Sequence, residues 1–380
     1  EEALDSSYYE HMRESWVRIL GTWVPYPFQN NVRYLPADAR NFCVEGLRTL
    51  TGDPAAAGNF KEWMDAVFGE GIVDYFMRPY NFKVWATPPE LMSKNWIAER
   101  VSVIDLKRIE TNIAEGRDDI SWGPNNKFKF PKVGGTGAIY EEIARPFANR
   151  ISFEHDLVTI DLKRKSLVFD NGERDDYDTL VSTIPLDQLI EKCVEAPEEV
   201  VSAAKSLVHN SAFVVGIGVR KQIDDSKCWM YFPEENCPFY RVTNFHNYSP
   251  INVPGGKVNQ YSALMCETSY SPFKPVDGGK VVEETVDGLV NCGLLTEADR
   301  GSIVSEFLID VPYAYPVPTI ERDKALAVIQ QFLEANDVYS RGRFGAWKYE
   351  VGNMDHSFMQ GVDVVDRLFF EKEEMVFAGF

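Results

Sequence analysis

Apolar residues change their spacing along this chain, and the change divides it into blocks. After VPYPFQNNVRYLP, Pro36 suits a first helical turn, and Cys43, Leu47 and Leu50 fall at helix-face spacing. That helix is expected to break at Thr51-Gly52-Asp53-Pro54. Asn59 suits the N-cap of a second helix carrying Phe60, Trp63, Met64, Val67 and Phe68, with Gly69 as its left-handed closing residue. A short third helix, IVDYFMR, is expected to stop at Pro79, and a fourth to open in PPELMSKNWIAERV. Residues 36–100 therefore read as a small helical subdomain.

From about residue 150 the period falls to two. LVTIDL and SLVFDNGE, with Asn171-Gly172 as the turn, suggest a β-meander, and DTLVSTIP a buried strand closed by Pro185. AFVVGIGV, VNQYSALMCE and SIVSEFLIDV read as further strands. A last helix is expected from Ser357 to about Phe370, with Phe358, Val362, Val365 and Leu368 on its apolar side. No internal repeat appears. Alternating helix and strand blocks predict an α/β or mixed α+β assembly with a discontinuous domain.

Composition narrows the function classes. At 380 residues, 44% hydrophobic and 13% aromatic, the chain buries a core large enough for two or three domains. Its 39 basic and 58 acidic residues give a charge of -19, which argues against nucleic acid and anionic membrane surfaces, and no basic run offsets it. Six cysteines without CxxC spacing signal neither a zinc site nor a disulfide framework, and suit a reducing compartment, taken as cytoplasmic. No apolar window approaches the roughly 18 residues of a membrane span. The start, EEALDSSYYEHMRESWVRIL, lacks a Met and reads as the middle of a domain, so a fragment or processed product is expected.

An acidic protein that binds an anion must gather positive charge locally, and three arginines sit among aromatics. Arg100 follows Trp96, Arg241 follows Trp229 and Tyr231, and Arg343 precedes Trp347 and Tyr349. Singly each reads as a structural ion pair; together they point to a phosphate site. Rings beside them would stack on a base or sugar, so a nucleotide-sugar is the ligand that uses both, with core packing as the alternative for each ring. VGIGVR reads as a strand with close backbone packing. Gly134, Gly135 and Gly137 lead into a helix, which suits either an anion at a helix N-terminus or a plain turn. Asp355 or Ser357 would cap the last helix, and Gly352-Asn353 would bring backbone close to a ligand. No catalytic triad, nucleophile elbow or HExxH is present, and the five histidines are isolated.

VPYPFQNN, FMRPYNFKVWATPPELM, WIAERV, WGPNNKFKFP, GGTGAIY, CWMYFPEENCPFYR, YPVPTIER and GRFGAWKYEVGNMDHSFMQGV, in this order, resemble the eukaryotic-type UDP-galactopyranose mutases over nearly the whole chain. The resemblance implies a two-dinucleotide-binding-type flavoprotein fold. In it, 36–100 is a helical substrate cap, 1–35, 101–130 and 189–330 an antiparallel-sheet substrate domain, and 131–188 with 331–380 part of a Rossmann-like FAD domain. It also implies interconversion of UDP-galactopyranose and UDP-galactofuranose, UDP-galactose being the small-molecule substrate. In the family, reduced FAD attacks the anomeric carbon through flavin N5 and expels UDP; NADPH is the expected reductant.

By motif, Arg241 and Arg100 resemble the diphosphate clamp, helped by Tyr231, Tyr315 and Tyr349, while Arg343 resembles the arginine near sugar and flavin. Tyr26, Phe28 and Gln29, with Phe76, Asn81 and Trp85, resemble the uridine pocket and its rim, and Asn125 a sugar-side asparagine. Gly352, Asn353 and Ser357 resemble the FAD loop and helix start, Met354 stands where the family usually has Gln, and Val158 resembles the residue backing the adenine. The family's N-terminal Gly-rich strand-turn-helix and the His-bearing loop near the flavin have no counterpart in the sequence. The expectation is thus a mutase whose first FAD segment was removed, disordered or supplied by a second chain, with a homo-oligomer also open. The other readings are a structural or assembly subunit that has lost FAD, and another amine-oxidase-like flavin enzyme.

Overall fold

The structure, a computed structural model, describes residues 4–97, 101–102, 104–120 and 127–378. In chain order the strands are β1 (Tyr8–Met12), β2 (Ser15–Ile19), β3 (Thr22–Pro25), β4 (Lys127–Pro131), β5 (Leu157–Asp161), β6 (Ser166–Phe169), β7 (Arg174–Asp176), β8 (Leu180–Ser182), β9 (Val208–Val219), β10 (Trp229–Tyr231), β11 (Arg241–Asn244), β12 (Ser262–Tyr270), β13 (Ile303–Val317) and β14 (Val338–Ser340). The helices are α1 (Ala37–Arg48), α2 (Phe60–Ile72), α3 (Arg78–Trp85), α4 (Leu106–Glu115), α5 (Gly137–Ala144), α6 (Leu186–Lys192), α7 (Glu198–Lys205), α8 (Val281–Asn291), α9 (Arg322–Glu334), α10 (Met354–Phe370) and α11 (Met375–Ala378). The mixed α/β class is the one the periodicity predicts. Two compact units result: Glu1–Glu90, Glu99–Ala148 and Ser211–Pro312 form the first; Leu91–Ala98, Asn149–Asn210 and Tyr313–Phe380 form the second.

The first unit holds a seven-stranded sheet in the order β13-β9-β12-β11-β10-β2-β3, and a separate ribbon of β1 with β4. Alternation along β9 turns Val215, Ile217 and Val219 inward against Val242, Leu264 and Cys266, with Val281 and Leu289 of α8 in the same core. Each large apolar side chain so buried contributes about 1.5–3 kcal/mol. Gly216 and Gly218 are strand residues, as VGIGVR suggested; a Cβ on Gly218 would collide with the Ser305 hydroxyl.

The helical block departs from the sequence reading in instructive ways. Asn59 does cap α2, its side chain accepting from Glu62 N at 2.9 Å. Gly69 takes the expected positive φ of 68°, yet the helix resumes beyond it to Ile72. The cause is packing against α1: a Cβ on Gly71 would lie 2.6 Å from Cys43 Cα. A five-residue π turn, Val73–Met77, then leads into α3. Pro79 lies in the first turn of α3 rather than stopping a helix, since a missing N-H costs little there. No fourth helix opens in PPELMSKNWIAERV among the described residues. Only a short 3-10 turn, Pro89–Leu91, forms, and Ser93 N instead donates to Pro318 O at 2.8 Å. Helix α4, capped by Asp105 and closed by left-handed Gly116, was not anticipated.

In the second unit β5, β6 and β7 form the expected antiparallel meander, with Gly172 at φ 84° in its turn. β8 instead pairs in parallel with β14, and it is not the buried strand the sequence suggested: Val181 is exposed. The core joins Leu186, Leu189 and Ile190 of α6 to Leu326, Ile329 and Leu333 of α9 around Trp347. α10 begins at Met354 with Asn353 at its N-cap, not Asp355 or Ser357. Its buried residues are Gln360 and Val364. Phe358, Val362 and Val365 are 48%, 39% and 46% exposed, so the expected apolar side is uncovered by any described element.

Candidate functional site

The first unit gathers the aromatic candidates into one series. Phe28 stacks on Phe76 with ring centroids 4.8 Å apart, Phe76 on Tyr80 at 4.9 Å, Tyr80 meets Tyr231 edge-on at 5.5 Å, and Tyr231 lies 5.2 Å from Tyr26. The spacing of four between Phe76 and Tyr80 carries both rings onto one helical face through the π turn into α3. Tyr80 was missed by the sequence reading, although that spacing was its signal. Phe28, Phe76 and Trp85 are buried as core residues, whereas Tyr26 and Tyr231 are half-buried. Burial pushes the Tyr231 hydroxyl pKa up, opposed by the nearby Arg241 charge, so this hydroxyl stays a donor at neutral pH.

Two candidate amides differ in what they leave unpaired. Gln29, buried, donates to Ser102 O at 3.1 Å, while its side-chain oxygen has no partner among the described residues. Asn81 donates to Met77 O at 2.7 Å, one turn back along the chain. Arg100 and Asn125 lie outside the described residues.

Arg241 sits opposite Glu267 in the β11–β12 register, and the pair is bidentate: Nε to Oε1 at 2.8 Å, Nη2 to Oε2 at 2.7 Å. Tyr240 donates to the same carboxylate at 2.6 Å. The fork fixes the guanidinium plane and neutralises its charge locally.

In the second unit Arg343 is held differently. Nη1 donates to Gly352 O at 2.9 Å, and Nε and Nη2 donate to Ala314 O at 3.3 and 2.8 Å. Its guanidinium carbon lies 5.0 Å from the Tyr315 ring centroid. No carboxylate among the described residues pairs with it, so its positive charge remains uncompensated. Tyr315 and Tyr349 meet at 5.8 Å, and Tyr349 meets Trp96 at 5.6 Å.

Gln360, absent from the sequence reading, ties this region together: its side-chain oxygen accepts from Gly342 N at 2.7 Å and its nitrogen donates to Val351 O at 2.9 Å. Its neighbours at helical spacing, His356, Ser357, Asp363 and Val364, are mostly polar, so the sequence carries no signal for its burial. Gly352 is buried, its carbonyl accepting from Arg343 and its N-H donating to Tyr349 O at 3.0 Å, and a Cβ there would stand 3.3 Å from Lys348 O and Tyr349 O, so a side chain would crowd this turn. Ser357 N donates to Asn353 O at 2.8 Å as the first turn of α10, and Met354 is exposed. Val158, on β5, is 49% exposed. Gly134 and Gly135 have positive φ ahead of α5, but α5 has only eight residues, none of them buried. Among the described residues no cluster of His, Cys, Asp or Glu would hold a metal, and no helix is long and apolar enough to cross a membrane.

Comparison with known proteins gives these half-buried tyrosines and differently held arginines their context. Residues 12–373 match the flavin containing amine oxidoreductase family. Among solved structures, reduced UDP-galactopyranose mutase is 42% identical, the match covering 99% of this chain and 82% of that one with a TM-score of 0.94. Putrescine oxidase bound to putrescine (12% identity, 96% and 85% covered, TM-score 0.59) and cyclohexylamine oxidase from Brevibacterium oxydans (11%, 94% and 80%, 0.59) share the fold alone. Matched along almost all its length, the chain belongs to the flavin containing amine oxidoreductase family, within which it is UDP-galactopyranose mutase-like.

Proposed function

We propose that this chain is a flavin-dependent isomerase of the eukaryotic mutase type that interconverts UDP-galactopyranose and UDP-galactofuranose. The near full-length likeness to reduced UDP-galactopyranose mutase carries this reading. The second reading, an assembly subunit without flavin, finds support in neither comparison.

In the proposed assignment Tyr26, Phe28, Gln29, Phe76, Asn81 and Trp85 serve the uridine and its rim. Arg100, Tyr231, Arg241, Tyr315 and Tyr349 serve the diphosphate, and Asn125 and Arg343 the sugar. The division into a 36–100 cap, a sheet domain for the substrate and a flavin domain belongs to the same proposal. The unpartnered Gln29 oxygen suits the N-H of a pyrimidine ring. Tyr231 with Arg241 in the first unit, and Tyr315 and Tyr349 with Arg343 in the second, are each a pairing of neutral and charged donors of the kind a nucleoside diphosphate takes.

For the flavin, Gly352, Asn353, Met354 and Ser357 are the proposed contacts, with Val158 toward the adenine. The residues present fit such a group. Gly352 lets the turn before α10 pack without a side chain, and the N-terminus of the 17-residue α10 would offer its positive dipole end to a carbonyl or phosphate oxygen. When bound, a reduced flavin supplies a nucleophilic nitrogen for exchange at the anomeric carbon. The protein's own share is electrostatic. Arg343, fixed by two carbonyls, would stabilise negative charge developing on the departing diphosphate, and Arg241 would hold that diphosphate in register. NADPH is the proposed reductant. Six free and buried thiols support a cytoplasmic placement.

The test is to reconstitute the chain with FAD, reduce it anaerobically with NADPH or dithionite, and follow UDP-galactofuranose by chromatography. Conversion of either UDP-sugar into the other supports the reading. Failure to retain FAD, or bound reduced FAD with no conversion, would overturn it.

A further inference from the structure

Lys83 lies on α3 between Asn81 and Trp85 and is 7% exposed, a cost that burial of a lysine must offset by partners. Its Nζ donates to Glu234 O at 2.8 Å and Cys237 O at 2.9 Å, and reaches Cys237 Sγ at 3.4 Å. Three acceptors surround a group with three N-H bonds, the complement of an ammonium. Two carbonyls would suffice to anchor the helix. The third acceptor is a sulfur, which gains from a cation only as it becomes thiolate.

A second sulfur faces the first. Cys292 caps the C-terminus of α8, and α8 packs closely on Cys237: a Cβ on Gly288 would lie 2.8 Å from Cys237 Cβ and 2.9 Å from Pro238 Cδ. The Cys292 thiol donates to the Asn236 side-chain oxygen at 3.7 Å, and Cys237 and Cys292 share one buried cluster in which each thiol feels the other electrostatically. In the neutral form Cys237 has Phe239 O as its own acceptor at 3.5 Å.

The two sulfurs are electrically unequal. Burial raises the Cys237 pKa, but the neighbouring Cys292 thiol and the Lys83 charge outweigh it, leaving the thiol below its ordinary value. Cys292, beside the Cys237 sulfur and buried too, is shifted upward. The other cysteines contrast with Cys237: burial pushes Cys43 and Cys193 up to about 12, and raises Cys228 and Cys266 as well. Lys274, half-buried, adds a second positive group whose charge is felt at Lys83 and Cys237.

We propose that Cys237, Lys83 and Cys292 form a peroxide-sensitive thiol site in which Cys237 and Cys292 close a disulfide. The Cys237 sulfur attacks one oxygen of hydrogen peroxide, the O-O bond breaks, and hydroxide leaves with a proton as water. The Cys237 sulfenic acid is then attacked by the Cys292 sulfur; the S-O bond breaks, the S-S bond forms, and a second water departs. Two thiols lose two electrons and two protons, and one peroxide becomes two waters. Lys83 holds the first sulfur anionic for the attack and keeps its two carbonyl anchors afterwards. With Cys237 only 5% and Cys292 3% exposed, the oxidant must be close to water in size.

The full chain, exposed to peroxide, quenched, denatured and alkylated, would be digested without reductant and mapped by mass spectrometry. The expected result is loss of two of the six free thiols and a Cys237–Cys292 linked peptide pair. C292S should arrest at a Cys237 sulfenic acid trapped by dimedone. K83M should slow oxidation about tenfold or more by removing the stabilising cation, and K83R, which keeps the charge, should restore part of the rate. Iodoacetamide, larger than peroxide, should leave Cys237 unmodified in the native chain. Retention of all six thiols, a disulfide between any other pair, or C292S without a trapped Cys237 would overturn the proposal.

Discussion

Arg241 of the first unit and Arg343 of the second are both forked, half-buried guanidinium groups beside tyrosines, yet the protein treats their charge in opposite ways. Arg241 meets a buried carboxylate, Glu267, across a strand register, whereas among the described residues Arg343 donates to the peptide carbonyls of Ala314 and Gly352 and pairs with no carboxylate. Carbonyl dipoles fix orientation without cancelling a unit charge; a carboxylate does both. Arg343 is therefore the stronger source of positive potential, and Arg241 the more precisely held. The second unit also contains the limiting case, Arg322, bidentate to Glu350 at 2.8 Å with both side chains 3% exposed. An arginine so enclosed is a piece of architecture.

The contrast makes ordered predictions. Arg322→Met should cost the most, about 3–5 kcal/mol in urea unfolding, because it strands a buried carboxylate; the protein that remains folded should keep its kcat. Arg343→Ala should lower kcat by about 10²–10³-fold, the size of effect expected for a fixed donor lost from developing charge. Arg343→Lys should recover only part of this, since one ammonium does not reproduce the planar fork between Ala314 and Gly352. Equal kcat values for wild type and Arg343→Ala would erase the distinction drawn between the two arginines.

Arg241→Ala should act mainly on KM, raising it about 10- to 100-fold through loss of a charged hydrogen bond. It should also reduce stability by leaving the buried Glu267 carboxylate without a cation, and the double change Arg241→Met with Glu267→Met should restore stability but not KM. A restored KM would show that Arg241 is architectural as well.

A last effect concerns pH. Burial and the Lys83 charge pull the Lys274 pKa down from 10.5 to about 8. Between those values the unfolded chain holds a proton that the folded chain has released, so this group's contribution to stability rises with pH across that window. Lys274→Met should accordingly be most favourable relative to wild type below pH 8, and its advantage should shrink as pH approaches 10.5 in paired denaturation curves. A constant difference would mean that Lys274 titrates normally.

Local signals were the ones sequence carried well. The Asn59 cap, the Asn171-Gly172 turn and the inward alternation of β9 each depend on residues only a few positions apart. Long-range pairing was where it failed. Glu267 stands 26 residues from Arg241 but one strand away, and Lys83 lies 154 residues from Cys237, so neither pair leaves a spacing to read. Pro79 misled because proline marks both the end of one helix and the first turn of the next. PPELMSKNWIAERV has helical composition, but the backbone of Ser93 finds its partner at Pro318. On α10 the apolar spacing was right about the helix and wrong about burial, which depends on what lies opposite.

The π turn between α2 and α3 sets the angular phase of everything after it. A helix rotates about 100° per residue, so removing one residue from Val73–Met77 would swing α3 by about that angle. Tyr80 would leave Phe76 and Tyr231, Lys83 would leave its carbonyls and sulfur, and Trp85 would leave the core, all in one step. Single substitutions along α3 change one of these roles at a time; the length of the turn before it changes them together. Its residue count is thus held by several constraints that share no chemistry, and a lineage would find side chains here easier to exchange than length.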